Sequence, residues 1–598
     1  MPVRQPPVSV RFWGLLLAGV LSLCAAYVAL LLNTADYADV RALSQIQYHD
    51  EGYYFLPTRL SAAGFAFAQH VSAAVAIGLV LLAGWGLTRD RARPPLRELG
   101  RQAGQVVAGT LTHWRQLSRN QRRTAGLSLV LLTAGRVYFS LNYPYHTDEV
   151  ASYDFFISRG LLAVSSFYPI PNNHILAGTL GWAFYQLSPA PWLVLRLPVL
   201  LTATAGTVAL FAGLLRLSSF WVAFVSLNLF GWMQLSLNFA TAGRGYWLLI
   251  GLAGLCFLAV VALRAPRPAA PHLAWALLLL SAVLGCYTVP PFVYVVASAL
   301  GCLGWTYLRR RAWAALAGAV AVGAGTVAAA AVLYAPVLLV SGQAALFGNR
   351  YVASKSLTEV LGRLPGFFWA MEGKLLGSRA VGAAALLLGL ALLAWLRHPA
   401  RFTRLLSPAQ RGAVSRFWQP ALWFILLPYL LMLLQRVVVP DRVLVYKGLL
   451  SALLWGLLAD VWLSRPGRRW RRGLVLALLL GFAAAQFRAL ARVARKERPR
   501  ATDERAAFRW LAAQPPGPVL VAVRQTALYL LYYGHQHRPR RRWHFDDSRR
   551  RPGVRYRYVL VPTGYGGAHR HRLPAQPAYR DATQEIYVLS TPAEQATF

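Results

Sequence analysis

Two short stretches set acids among aromatic residues beside long apolar runs: YHTDEVASYDFF at 145–156 and YHDEGYYF at 48–55. An Asp-Glu pair in such a place is either a solvated loop or a source of a general base at a membrane edge. Asp148 and Glu149 follow directly on the apolar run that ends at Asn142, whereas Asp50 and Glu51 lie farther from theirs. Other polar residues gather in FYPIPNNHIL (167–176), TAGRGYWL (241–248) and QRVVVPDRVLVYK (435–447). Carboxylates supply a base, and Arg or Lys binds a phosphate as a fork or as a point charge. Each residue also has a plain structural reading. Asp148 can be a helix-exit acid, Glu149 an N-terminal helix charge, His174 an interfacial polar residue, Arg244 a snorkelling cation, and Tyr246 a belt aromatic.

The elements that must position these residues are apolar. The chain has 598 residues, 57% of them hydrophobic and 14% charged, with a mean hydropathy of +0.42. Repeated apolar runs of bilayer length make this a polytopic membrane protein. The formal charge of +41 is placed in short Arg clusters between apolar runs, such as RRR at 309–311 and RPGRRWRR at 465–472. That is the positive-inside pattern, helped by attraction to anionic headgroups, and it argues against nucleic-acid binding. Cys24, Cys256, Cys286 and Cys302 all lie in apolar runs without metal spacing, so neither disulfides nor a thiolate metal site is expected.

Hydropathy predicts an all-α architecture of about 13 transmembrane helices, near 12–32, 68–88, 125–142, 192–216, 219–238, 245–264, 272–289, 291–308, 312–340, 380–397, 418–435, 443–464 and 472–490. The first run is long for a secretory signal and reads as a retained span. With the N-terminus inside, the basic segments, 89–124 among them, are cytoplasmic, and the loops 33–67, 143–191, 239–244, 341–379 and 436–442 face outward. Three regions are expected: 1–124, an accessory two-span hairpin with a basic cytoplasmic loop; 125–490, a transmembrane catalytic region; and 491–598. The last reads as a small extramembrane α/β domain on the outer side, from an amphipathic helix and short β-branched runs with Gly/Pro breaks.

The order of these features carries a resemblance. A span is followed at once by Asp-Glu, then by Pro-Asn-Asn-His and a short apolar helix. After these come LRLPVLL, Ala-Gly-Arg-Gly-Tyr and a late P-x-R-x-x-x-Y. Over about 125–450 the chain resembles the GT-C superfamily of integral-membrane glycosyltransferases. Within it, the resemblance is to the glycosyltransferase 39 group of protein O-mannosyltransferases and aminoarabinose transferases. The resemblance implies an inverting transfer of sugar from a polyprenyl-phosphate donor to a lipid, glycan or protein acceptor outside the inner (cytoplasmic) membrane. Asp148, with Glu149 beside it, would be the catalytic carboxylate. His146, Asn172, Asn173, His174 and Tyr246 would contact substrate, and Arg244, Arg442 and Lys447, with Arg436 as a fourth candidate, would bind the donor phosphate. Where the aminoarabinose branch has Lys-Pro-Pro, this chain has Pro171-Asn172-Asn173-His174. No cofactor and no metal are expected, since no ligand spacing compels a divalent ion. The competing class is a transporter or flippase of lipid-linked sugar or polymer, for which half-to-half symmetry would be the sign. A third is a non-catalytic scaffold.

Overall fold

Backbone polar groups have no water to bind in hydrocarbon, so long apolar runs close their hydrogen bonds internally as helices. A computed structural model describes residues 9–44, 49–50, 53–54, 60–88, 93–169, 173–348, 353–375, 406–464, 468–536, 545–546, 553–566, 573–591 and the single positions 382, 384, 388, 391 and 595. Among the described residues, ten helices are long and apolar enough to cross a membrane, or eleven if one bent pair is a single span. The expected thirteen is not confirmed among the described residues. The run 443–464 forms the 17-residue helix Lys447–Leu463, at the short end of the length that can cross a bilayer. The run 380–397 lies almost wholly outside the described residues. The basic segment 89–124, read as a loop, contains the amphipathic helix Arg93–Gln116, which packs on Pro271–Thr288 and Leu197–Leu217.

The bent pair is Phe220–Trp232 and Gln234–Thr241, which meet at 68°. Met233 between them is extended (φ −50°, ψ 133°), and this frees backbone groups at membrane depth. The Gln234 N–H is recovered by the Gln486 side chain at 2.9 Å, so the break costs little. Its effect is to turn the chain toward Gly243-Arg244-Gly245.

The N-terminal helices are tied to the rest. Val10–Asn33 packs on Ala62–Thr88 and also on Trp313–Val340. Tyr27 shares hydrogen bonds with Ser165 (2.7 Å) and Tyr287 (3.2 Å). Between these two spans, β1 (His49–Asp50) pairs antiparallel with β2 (Tyr53–Tyr54). Glu51 lies outside the described residues.

The last span continues without a break into a stalk. Arg468–Ala513 is one helix of 46 residues, so the 490/491 division falls inside it. At ~1.5 Å per residue it is ~70 Å long, against a hydrocarbon core of ~30 Å. Its far end packs on a five-stranded sheet formed by β3 (Val519–Val521), β4 (Phe545–Asp546), β5 (Tyr558–Pro562), β6 (Tyr579–Arg580) and β7 (Gln584–Val588), in the order β4-β3-β5-β7-β6. Strands β4, β3 and β5 run parallel, and β7 is antiparallel to both β5 and β6. Phe508, Leu511, Val519, Leu530, Leu560 and Ile586 fill the core between stalk and sheet.

This domain sits at the same end of the bundle as Asp148. Arg498 donates to the Asn142 carbonyl (3.1 Å) and to its side-chain oxygen (3.2 Å). Tyr529 donates to the Tyr145 carbonyl at 2.8 Å. The four native cysteines are all buried, so introduced ones report topology cleanly. In sealed vesicles, Asn142→Cys and Thr502→Cys should react with an impermeant maleimide from one side, and Arg119→Cys from the other. Labelling of the first two from opposite sides would break this arrangement.

Candidate active site

The span Arg119–Asn142 stops at Tyr143, whose extended backbone ends the helix, and Pro144 follows. A new helix, Thr147–Phe155, starts after His146, whose N–H is accepted by Glu149 Oε2 at 2.9 Å. Asp148 and Glu149 occupy its first turn, where the helix dipole favours negative charge. They are adjacent in sequence and differ completely in environment.

Glu149 is fully buried. Its oxygens accept from Arg196 Nε (3.0 Å), Arg196 Nη2 (3.1 Å), the Gly243 N–H (2.7 Å) and the His146 N–H. Arg196 also donates to the carbonyls of Ser140 (2.9 Å), Tyr143 (2.7 Å) and Pro144 (3.1 Å), and lies over the Tyr145 ring at 4.0 Å. Burial pushes the Glu149 carboxyl up, but Arg196 outweighs it and the group stays ionised below its ordinary value. Expected as a second reacting group, Glu149 has both oxygens committed to four donors and acts as a clamp. Arg196 was not singled out from the sequence. The signal was there, since a lone Arg entering an apolar run must find partners.

Asp148 faces the other way. Its Oδ2 is 2.7 Å from Arg244 Nη1, and 49% of its side chain remains exposed. Burial raises its pKa, while Arg244 and then Arg442 lower it further, so it is held below the usual carboxylate range. Arg244 is 3% exposed. The glycines around it are needed for close approach: a Cβ on Gly243 would fall 2.5 Å from the Leu195 Cβ, and one on Gly245 would fall 2.8 Å from Thr288 Cγ2. The buried His174 accepts from the Gly245 N–H at Nδ1 (3.0 Å), and its Nε2 lies 3.0 Å from Arg244 Nη2. Burial, Arg244 and Arg442 all push its pKa well down, so the imidazole is neutral.

His174 brings this group to a cavity of about 540 Å³. Its wall combines Tyr168, His174, Tyr246, Gln435 and Arg442 with apolar side chains including Val289, Pro290, Phe347, Val437 and Val439. Such a lining suits a molecule with an apolar body and an anionic head. Tyr294 donates to Gln435 Oε1 at 2.6 Å and fixes that amide.

The remaining expected residues divide. Tyr246 stands edge-on to His174 with ring centres 4.7 Å apart. His146 places Nε2 at 3.4 Å from Asn238 Oδ1, beside the clamp. Asn173 is not aimed at the cavity: its amide donates to the carbonyls of Val164 (2.7 Å) and Phe167 (3.0 Å) and fixes the loop. Asn172 lies outside the described residues. Lys447 is fully buried, with its ammonium 2.5 Å from the Tyr429 hydroxyl and 4.0 Å from that ring's centre, rather than on the cavity wall. Arg436 caps the helix Pro408–Gln435 in a left-handed conformation. Among the described residues, no three His, Cys, Asp or Glu side chains group closely enough to hold a metal.

Comparison with solved structures finds likenesses at low identity. No protein-family model matches the chain, and no curated protein matches it. The aminoarabinose transferase ArnT from Cupriavidus metallidurans, solved bound to undecaprenyl phosphate, is 14% identical; the match covers 78% of this chain and 97% of that one with a TM-score of 0.49. Arabinosyltransferase EmbB from Mycobacterium smegmatis is 14% identical over 80% of this chain and 46% of its own length, with a TM-score of 0.37.

The clamp generates a stability prediction. Glu149→Gln leaves Arg196 charged and buried and weakens the acceptor of four donors at once, which should cost about 3–5 kcal/mol and lower the thermal midpoint in detergent. Asp148→Asn also leaves the buried Arg244 charged but keeps a half-exposed side chain that water reaches, and should cost less. The sign with pH follows from the depressed folded pKa of Glu149. Its contribution is full above the unfolded pKa and is lost as pH falls through the folded value. Equal losses for the two variants would contradict the division of roles.

Proposed function

We propose that this chain is an inverting, GT-C-type glycosyltransferase that moves a sugar from a polyprenyl-phosphate donor to an acceptor hydroxyl at the outer face of the cytoplasmic membrane. The observation that carries the reading is the half-open Asp148 carboxylate paired to Arg244, one contact away from His174 on an amphipathic cavity. The ordered sequence motifs support the same class.

In this reading the polyprenyl chain occupies the apolar wall, and its phosphate meets Arg442 and Arg244. Asp148 takes the proton of the acceptor hydroxyl. That oxygen attacks the anomeric carbon on the face opposite the phosphate, the bond from that carbon to the phosphate oxygen breaks, and polyprenyl phosphate departs with the electron pair. The guanidinium groups neutralise the charge that develops on the leaving phosphate. Since the donor phosphate competes with Asp148 for Arg244, donor binding raises the basicity of Asp148 as the reaction is set up. Glu149 and Arg196 hold the geometry without touching substrate.

The test is release of polyprenyl phosphate from a panel of polyprenyl-phosphate sugars, by purified protein in nanodiscs with membrane extract as acceptor source. Asp148→Asn should lower turnover by about 10²–10⁴-fold, while Asp50→Asn should leave it unchanged. Undiminished turnover in Asp148→Asn would refute the assignment. Movement of intact donor across the bilayer without cleavage would favour a transporter.

A pH profile gives a separate check. The pairing of Asp148 with Arg244 holds its pKa down, so residual turnover in Arg244→Gln should show its acid limb at higher pH than wild type. A limb that stays in place would mean that another group titrates.

A further inference from the structure

A second cavity, of about 450 Å³, opens between the stalk, the helix Arg524–Gln536 and the segment 141–145 that leads into the carboxylate helix. Arg498, Arg505 and Arg509 line it from the stalk. These positions are spaced i, i+7 and i+11 and therefore fall on one helical face. Among the described residues that line the cleft, none is acidic. The nearby Glu504 is buried and takes Arg500 at 3.1 Å, so its charge is spent elsewhere. Facing the guanidinium groups are the half-buried Tyr145 and Tyr533 and the exposed amide of Gln536.

We infer that this cleft is the acceptor subsite and that it takes a glycan bearing carboxylate or phosphate groups. The inference rests on the proposed glycosyl transfer and adds to it the chemical class of the acceptor. Guanidinium forks match planar carboxylate and phosphate, while phenol and amide groups match sugar hydroxyls. The cleft also touches the catalytic segment directly. The Tyr145 ring lines the cleft and lies 4.0 Å from the Arg196 guanidinium, and its carbonyl is bonded to Tyr529 of the soluble domain. A glycan bound here bears on the short segment from which Asp148 projects. Two of the three walls come from the C-terminal domain and its stalk, which gives that domain its role.

The experiment measures binding by the full-length protein in nanodiscs of zwitterionic lipid, with tetragalacturonate, maltotetraose and inorganic phosphate as probes. Tetragalacturonate should bind at least about tenfold more tightly than maltotetraose. The double variant Arg505→Gln/Arg509→Gln should lose about tenfold in that affinity. These arginines are exposed, so the fold should survive, and an unchanged thermal midpoint would verify this. Arg119→Gln/Arg122→Gln, at the opposite end of the bundle, controls for general attraction to a basic protein and should change nothing. Asp148→Asn should keep the affinity, so loss of turnover and loss of glycan binding are read separately. Equal affinity for the charged and neutral tetrasaccharides would overturn the proposal, as would an unaffected Arg505/Arg509 double variant. If phosphatidylglycerol in the disc displaces the uronate, the cleft is a lipid-headgroup surface and the proposal falls. If inorganic phosphate binds as tightly as tetragalacturonate, the site reads a lone anion rather than a glycan and the proposal falls in the same way.

Discussion

The Glu149–Arg196 pair is the constraint on which the site depends. Arg196 caps the last carbonyls of the span ending at Asn142, where the helix dipole is negative, and Glu149 sits in the first turn of the next helix, where it is positive. The same carboxylate holds the Gly243 N–H, 94 residues farther along the chain. One ion pair thus joins a span end, the carboxylate helix and the glycine turn that carries Arg244. A buried pair contributes little net stability against an apolar replacement, but breaking it from one side is costly. Its value here is geometric, because it fixes where Asp148 and Arg244 meet.

Neighbouring acids with opposite duties follow from that clamp. Helical geometry points adjacent side chains about a hundred degrees apart, so when Glu149 turns into the protein Asp148 turns toward water and Arg244. The Asn173 amide and the Gln486 side chain make comparable repairs, each satisfying backbone groups that an irregular chain would leave bare. The polar residues around the cavity therefore fall into two sets. One set holds backbone in place, and the other faces the space where a ligand fits.

The C-terminal domain belongs to this arrangement rather than trailing from it. A helix that leaves the bundle and continues as a stalk carries the sheet that packs on its far end. The contacts Arg498–Asn142 and Tyr529–Tyr145 bring it onto the segment preceding Asp148. The result is a cationic cleft against that segment, in addition to the amphipathic cavity that His174 and Arg442 line.

Much of this was legible in the sequence. Apolar runs of bilayer length dictate helices because hydrocarbon offers the backbone no other partners. The position of Asp148 at a span exit and the glycines flanking Arg244 marked a place where backbones approach closely, and the short β-branched runs marked a small α/β domain. Hydropathy did not show where an element is bent, as at Met233, or where a longer apolar run yields a helix of only 17 residues, as in Lys447–Leu463. Nor could the sequence separate Asp148 from Glu149, or place Lys447 against Tyr429 instead of on the cavity wall. Hydropathy and spacing depend on residues near one another in the chain. Which carboxylate is enclosed by donors and which is left open depends on Arg196 and Arg244, brought in from distant helices, and only tertiary packing decides that.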